Sequence, residues 1–295
     1  MATLVAPRNH FPQEDAEALW KAVKGWGTDE KTIIKILGHR NASQRQQIRL
    51  VFQDIHLEDL VKRLESELSG DFERAVYRWT LEPSKRYAVL ANVAIKNANK
   101  DYHVMVEIVC VRRAYHNRYK HSLEDVAAHT TDHVRQASMG VMRSMQDWQN
   151  LKLIFFMRPS KTKKGHHEEV IGGSLVQEAR PNLWQLSTAS KMKITFLSKL
   201  LEETSDDFYK AVNVAIHCIN DHKKYYEKVL RNAIKGVGNN EDGQTRVFVT
   251  RAEKDLKDIK ELYYKKNSVH LEDTMAKENS GYYKKFLLTL LGKGG

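Results

Sequence analysis

The 295-residue chain carries 48 Lys and Arg against 37 Asp and Glu, a formal net charge of +11, with 41% apolar residues and five prolines. This excludes a disordered acidic segment and suits a helical globular body, long enough for about two domains, that meets an anionic partner such as phospholipid, nucleic acid or an acidic protein. Two cysteines, Cys110 and Cys218, make no secreted disulfide framework, residues 1–8 show no signal peptide, and the apolar runs at 151–157 and 286–291 are too short to span a bilayer.

Helical spacing begins at Glu14, where Ala18, Leu19, Ala22 and Val23 share one face and predict a helix over 14–23. Gly25-Trp26-Gly27 breaks it, and Thr28 is the predicted cap of a second helix with Ile33, Ile34 and Leu37 inward. Ser43-Gln44-Arg45-Gln46 has the form of a capping box and predicts a third helix, with Ile48 and Phe52 inward. A fourth helix is read around 58–64 and a fifth over 71–81, stopped by Glu82-Pro83. The unit is five short helices, and no segment alternates with strand period for long.

The chain repeats this unit. Shifted by 211 residues without gaps, Leu19 meets Leu230, Gly25 and Gly27 meet Gly236 and Gly238, and Arg40 meets Arg251. Glu67 then meets Glu278, and Ser69-Gly70 meets Ser280-Gly281. The shift is close to three units of about 70 residues, so four units fill the chain. The reading is a tail at 1–13 and repeats at 14–82, 83–137, 138–219 and 220–291. The second is shortened around Cys110 and Arg113, and the third carries clear helical spacing only over 196–219.

Chemistry concentrates at Gly25-x-Gly27 with Glu67, and again at Gly236-x-Gly238 with Glu278. A Gly-x-Gly between helices turns the backbone so that carbonyl oxygens point outward on one side. Carbonyls and one carboxylate suit a hard cation of flexible geometry, Ca²⁺ rather than Mg²⁺, and leave positions open for water or a phosphate oxygen.

Lys24-Gly-x-Gly-Thr28, the following helix, the distant acid and the 70-residue repeat resemble the annexin family. Ser69-Gly-Asp-Phe-Glu-Arg-Ala75 and Thr80-Leu-Glu-Pro83 resemble its plant members. The resemblance covers 12–135 and 195–291. It implies an all-α fold of four five-helix repeats in a right-handed superhelix, with Ca²⁺ as cofactor and anionic phospholipid as partner on the convex face. Carried over, the first site uses the carbonyls of Val23, Gly25 and Gly27 and the carboxylate of Glu67; the fourth uses Ile234, Gly236, Gly238 and Glu278. Thr28 and Glu30 stand as a weaker accessory site. Trp26 and Val237 sit at the loop tips toward the membrane, with Lys24 and Lys235 beside lipid phosphates. Asn239 replaces the expected threonine in the fourth repeat, and Asn97, Asn99 and Thr130 leave the second without a site.

Other motifs carry less. Arg40 and Arg251 are read as bonding helix carbonyls inside their repeats. The resemblance brings a suggested peroxidase role for a histidine at the place of His39, without residues that position a haem. His166-His167-Glu168-Glu169 and Lys161-Thr-Lys-Lys164 read as solvated, and no Gly-x4-Gly-Lys-Ser/Thr loop exists for nucleotide hydrolysis. Cys110 and Cys218 resemble plant annexin helix cysteines, a redox pair or two inert buried thiols. Residues 138–193 lack the repeat pattern. With synonymous codons chosen freely, 139–159 and 173–186 give annexin-like words one nucleotide earlier, the mark of a shifted frame; the alternative is divergence.

The resulting expectation is a non-enzymatic, calcium-dependent phospholipid binder, peripheral at the cytosolic face of membranes. It has no nucleic-acid partner, and self-association on the membrane is left open. Two alternatives are a degenerate annexin bound to anionic surfaces by its basic charge alone, and a redox or peroxidase-like enzyme.

Overall fold

The computed structural model describes residues 1–25, 27–96, 104, 107, 108, 207–235 and 240–293, which fall in two units: 1–87 with 221–295, and 88–220. The described helices are α1 (Pro12–Val23), α2 (Glu30–Leu37), α3 (Ala42–His56), α4 (Leu60–Glu67), α5 (Gly70–Thr80), α6 (Pro83–Lys96), α7 (Asp207–Lys235), α8 (Glu241–Arg251), α9 (Leu256–Asn267), α10 (Leu271–Glu278) and α11 (Gly281–Leu290). Among the described residues there is no strand. The all-α reading holds.

In the first unit the five expected helices appear in order, but two caps differ. Asp29, not Thr28, caps α2: its carboxylate accepts from the Thr32 amide at 3.1 Å and the Thr32 hydroxyl at 2.7 Å. The capping box sits two residues earlier than expected, with Asn41 accepting from the Gln44 amide and Gln44 reaching back to the Asn41 amide. Both changes have one cause. A carboxylate or amide oxygen at the N-cap satisfies free helix amides as well as a hydroxyl does, and Asp29 and Asn41 are the residues next to each helix start. The predicted inward residues Leu19, Val23, Ile33, Leu37, Ile48 and Phe52 are fully buried.

The fourth repeat reproduces the first in detail. The left-handed residue ending α3, Leu57 (φ 57°), has its counterpart 211 positions on in Ser268 (φ 56°). The glycines that open α5 and α11, Gly70 and Gly281, share positive φ. Asp221 breaks α7 with extended backbone (φ −154°), and its side chain accepts from the Lys224 amide at 3.1 Å, so it caps the second segment, which starts the fourth repeat.

Repeats 1 and 4 share one core. Phe72 meets Phe286 edge-on at 6.0 Å between ring centroids, Arg78 pairs with Asp242 at 2.6 Å, and Arg45 pairs with Glu253 at 3.1 Å. Arg86, 3% exposed, ties them together. Its guanidinium donates to the carbonyls of Arg78 (2.8 Å), Trp79 (3.0 Å) and Leu81 (3.0 Å), and across to Val249. Thr3 joins the N-terminal tail to repeat 4 through the carbonyls of Ala252 and Leu290.

Arg40 and Arg251 depart from the sequence reading, because both find carboxylates instead of helix carbonyls. Arg40 makes a two-point pair with Asp15 at 2.7 and 2.8 Å, and Arg251 makes one with Asp255. The position matching Asp15 in the fourth repeat is Tyr226, and the Arg251 guanidinium lies over that ring at 4.6 Å. The ring takes the place of the acid, and Asp255 supplies the charge from the next turn. A part-buried guanidinium is more strongly held by a carboxylate fork than by scattered carbonyls.

In the second unit Leu90, Ala91, Ala94, Val104, Ile108 and Cys218 are buried. The repeat boundaries 83–137 and 138–219, the shifted-frame reading, Cys110 and the two polar clusters at 161–169 lie mostly or wholly outside the described residues.

Two outcomes follow from the buried charges. Arg86→Leu leaves four carbonyls without their donor and should cost about 3–5 kcal/mol, read by urea denaturation. The second concerns Asp255. Burial would raise its carboxyl, but the His222 and Arg251 partners outweigh burial and hold it well below the usual carboxylate range. A depressed folded-state value means stability that is present above about pH 4, the unfolded value, and lost as pH falls below it. Asp255→Asn should therefore lower stability by roughly 3 kcal/mol at pH 7 and flatten its acid dependence, seen as melting temperature against pH.

Candidate metal-binding loop

The α1–α2 connection needs a tight reversal between two helices whose inner faces are fixed by Leu19, Val23, Ile33 and Leu37. Gly25 (φ 109°) and Gly27 (φ 90°) supply it, with backbone that a side chain rarely adopts. A methyl group at either would meet nothing within 4 Å, so conformation and not crowding reserves both positions for glycine. The loop closes through the Asp29 amide, which donates to the Ala22 carbonyl at 2.9 Å. The fourth repeat closes in the same way, Asn240 to Ala233 at 2.9 Å, and Asn240 caps α8 from the position of Asp29. The loop ends are thus built alike, and Gly236, Val237, Gly238 and Asn239 between them lie outside the described residues, as does Trp26.

Glu67, the last residue of α4, is carried across to the loop. The Thr28 hydroxyl lies 3.5 Å from its backbone carbonyl and 3.5 Å from its Oε2. The α3–α4 turn sets this reach: Asp59 caps α4 through the Val61 and Lys62 amides and pairs with Arg49 at 2.5 Å. Glu30 and Glu67 line one open cleft with Asp71 and Tyr282. Lys24 is exposed, its ammonium 5.7 Å from the Trp20 ring. In the fourth repeat Ile234 is buried like Val23, Glu278 ends α10 as Glu67 ends α4, and Lys235 donates to Asn267 at 3.1 Å.

One member of the site was missed by sequence reading. Arg63 Nη2 donates to the Val23 carbonyl at 2.8 Å and stands 3.2 Å from Glu67 Oε1. The available signal was its spacing: Arg63 precedes Glu67 by one helical turn, on the same face of α4.

The donors in reach of the loop are oxygens of a hydroxyl, a carboxylate and peptide carbonyls, a set suited to a hard cation. Among the described residues no three His, Cys, Asp or Glu side chains cluster as a metal site.

The annexin family model matches residues 14–79 and 225–290, the two repeats just described. Over 315 aligned positions the chain is 53% identical to annexin-like protein RJ4 of Fragaria ananassa, covering 99% of both. The chain belongs to the annexin family. Annexin D6 of Arabidopsis thaliana is 42% identical, again over 99% of both chains. The solved structure of chicken annexin V superposes with a TM-score of 0.68 at 29% identity, covering 99% of this chain and 98% of that one. A calcium-bound annexin (Sm)1 gives 0.71 at 23% identity, a likeness of fold. Annexins are calcium- and phospholipid-binding repeat proteins that act peripherally on membranes. Among the described residues of this annexin no helix is long and apolar enough to cross one.

The positive φ at Gly27 predicts a graded series. Gly27→Ala should lower stability in chelator by about 1–2 kcal/mol, and Gly27→Asn by less, since asparagine tolerates left-handed backbone. Chemical denaturation of the three proteins measures the ranking.

Proposed function

We propose that this annexin binds anionic phospholipid peripherally, at the cytosolic membrane face, through calcium held in repeats 1 and 4. In repeat 1 the ligands are the Val23, Gly25 and Gly27 carbonyls and the Glu67 carboxylate; in repeat 4 they are the Ile234, Gly236 and Gly238 carbonyls and Glu278. The observation that carries the reading is the meeting of Glu67 with the Thr28 end of the loop, across 39 residues of sequence. The ion would supply the positive charge that joins loop and lipid phosphate. Protein oxygens leave part of the six to eight positions of Ca²⁺ open, and a phosphate oxygen of a headgroup fills them. Lys24 and Lys235 then add point charges beside the phosphates, and Trp26 and Val237 add apolar tips at the interface. Thr28 and Glu30 form the weaker accessory position.

The net charge of +11 supports a second, calcium-independent component. It should fade as salt shortens the Debye length from about 10 Å at 0.1 M to about 3 Å at 1 M.

Cosedimentation with phosphatidylserine-containing vesicles, in Ca²⁺ and in chelator, separates the two. Glu67→Gln and Glu278→Gln should each raise the calcium needed for binding, and the double variant should lose more than either, because the two sites act multivalently. Glu67→Gln should be the more harmful, since the fourth-repeat loop carries Asn239 where the first has Thr28. Binding of all three at wild-type calcium would sink the assignment of these ligands; salt-sensitive binding of the wild type in chelator alone would select the basic-surface reading.

A further inference from the structure

Two of the proposed calcium ligands in repeat 1 already hold a cation. The same nitrogen of Arg63, Nη2, donates to the Val23 carbonyl at 2.8 Å and lies 3.2 Å from Glu67 Oε1. We propose that Arg63 is a tethered competitor of the calcium ion, setting the affinity of the repeat 1 site below what its oxygens alone would give. This inference rests on the calcium reading of that site and adds a determinant of its affinity.

The physical argument has three parts. First, calcium bonds oxygen at about 2.3–2.6 Å. An ion on the Val23 carbonyl and the Glu67 carboxylate would therefore stand against a guanidinium that is already within 3.2 Å of one of them. Either the arginine moves or two cations share a small volume, and both lower the net gain of binding. Second, the arginine is held loosely enough to leave. Its Nε is buried without a hydrogen-bond partner, so its present position satisfies only part of its donor set. Third, it has somewhere to go. Its guanidinium carbon is 5.9 Å from the Trp20 ring, at the edge of cation–π range, and its side chain is 28% exposed. A swing toward the ring and solvent releases both oxygens.

The fourth repeat carries no arginine at this position, and the Lys277 ammonium stands 3.9 Å from Glu278 Oε1. The position matching Arg63 is Thr274, whose hydroxyl donates to the His270 carbonyl at 3.1 Å. Repeats built on one plan therefore carry different resident groups one turn before their acidic ligand.

The alternative role for Arg63 is a brace that fixes Glu67 and Val23 in place for the ion, and the two roles move calcium affinity in opposite directions. The test uses the full chain with Glu278→Gln, so that the signal comes from repeat 1, and follows tryptophan-sensitised Tb³⁺ luminescence and its displacement by Ca²⁺ without membrane. Arg63→Met keeps the length of the side chain and removes its charge. It should lower the half-saturating calcium by about two- to fivefold, the scale of a part-exposed ion pair, while lowering the melting temperature in chelator. Arg63→Lys keeps the charge and should return calcium affinity toward that of the parent. Unchanged or weaker calcium binding in Arg63→Met, with native circular dichroism, would overturn the competitor role. Absence of a Tb³⁺ or Ca²⁺ response in every variant, parent included, would overturn the calcium reading of repeat 1 and this inference with it.

Discussion

The first unit is organised around one buried indole. Trp79, fully buried near the end of α5, donates its ring N–H to the Leu37 carbonyl at 2.7 Å and has the Arg45 guanidinium 3.7 Å from its ring centroid and that of Arg86 at 5.2 Å. Burying two guanidiniums is costly unless most of their donors find acceptors, and of these donors Arg45 Nε is left without one. Repeat 1 supplies the Arg40, Arg78, Trp79 and Leu81 carbonyls, and repeat 4 adds Val249 O to Arg86 and Glu253 to Arg45. Burial pulls Arg86 from its ordinary value down to about 9, and it stays charged at neutral pH with four carbonyl acceptors around it. The cluster specifies which repeat is the partner, where apolar contacts such as Phe72 with Phe286 would tolerate substitutes.

The α1–α2 loop inherits its geometry from this arrangement. Leu37, whose carbonyl receives Trp79, ends α2, and α2 begins one residue after the cap that closes the loop. The inner faces of α1 and α2 are thereby fixed, and only glycine backbone can join them within the residues available. Glu67 reaches the loop because α4 is anchored at its other end by Asp59 with Arg49. Packed helices thus connect Trp79 to the α1–α2 loop.

Much of this was legible from residues. The 211-residue shift read from Gly25, Glu67 and Gly70 places α4 on α10 and α5 on α11 without a gap, down to the left-handed Leu57 and Ser268 that no spacing rule singled out. Apolar spacing located the first three helices of repeat 1, and the fifth was read from its Glu82-Pro83 stop. Polar contacts were less legible for a plain reason: spacing along a helix shows which side chains share a face but not which neighbour meets them. Arg40 and Arg251 hold the same repeat position and find acids from different places, Asp15 on α1 and Asp255 one turn on, because Tyr226 stands where Asp15 would be. Arg63 was hidden similarly. One turn before Glu67 it reads as an ordinary surface ion pair, and only the folded loop brings the Val23 carbonyl to the same nitrogen.

The pairing of the first and last repeats has a consequence for how the chain is made. Arg45 with Glu253 and Arg86 with Val249 join residues separated by 208 and 163 positions. Between the two parts of the unit lie residues 88–220. Synthesis at about 5–20 residues per second takes on the order of ten seconds to cross that interval. Throughout it, α5 and the start of α6 exist without their complement. The emerging N-terminal repeat therefore has to keep its tryptophan and two arginines in a half-finished, water-accessible setting until the last quarter of the polypeptide leaves the ribosome. An annexin of this design completes the burial of its opening repeat only once the matching repeat has emerged, and the closure joins residues far apart in sequence.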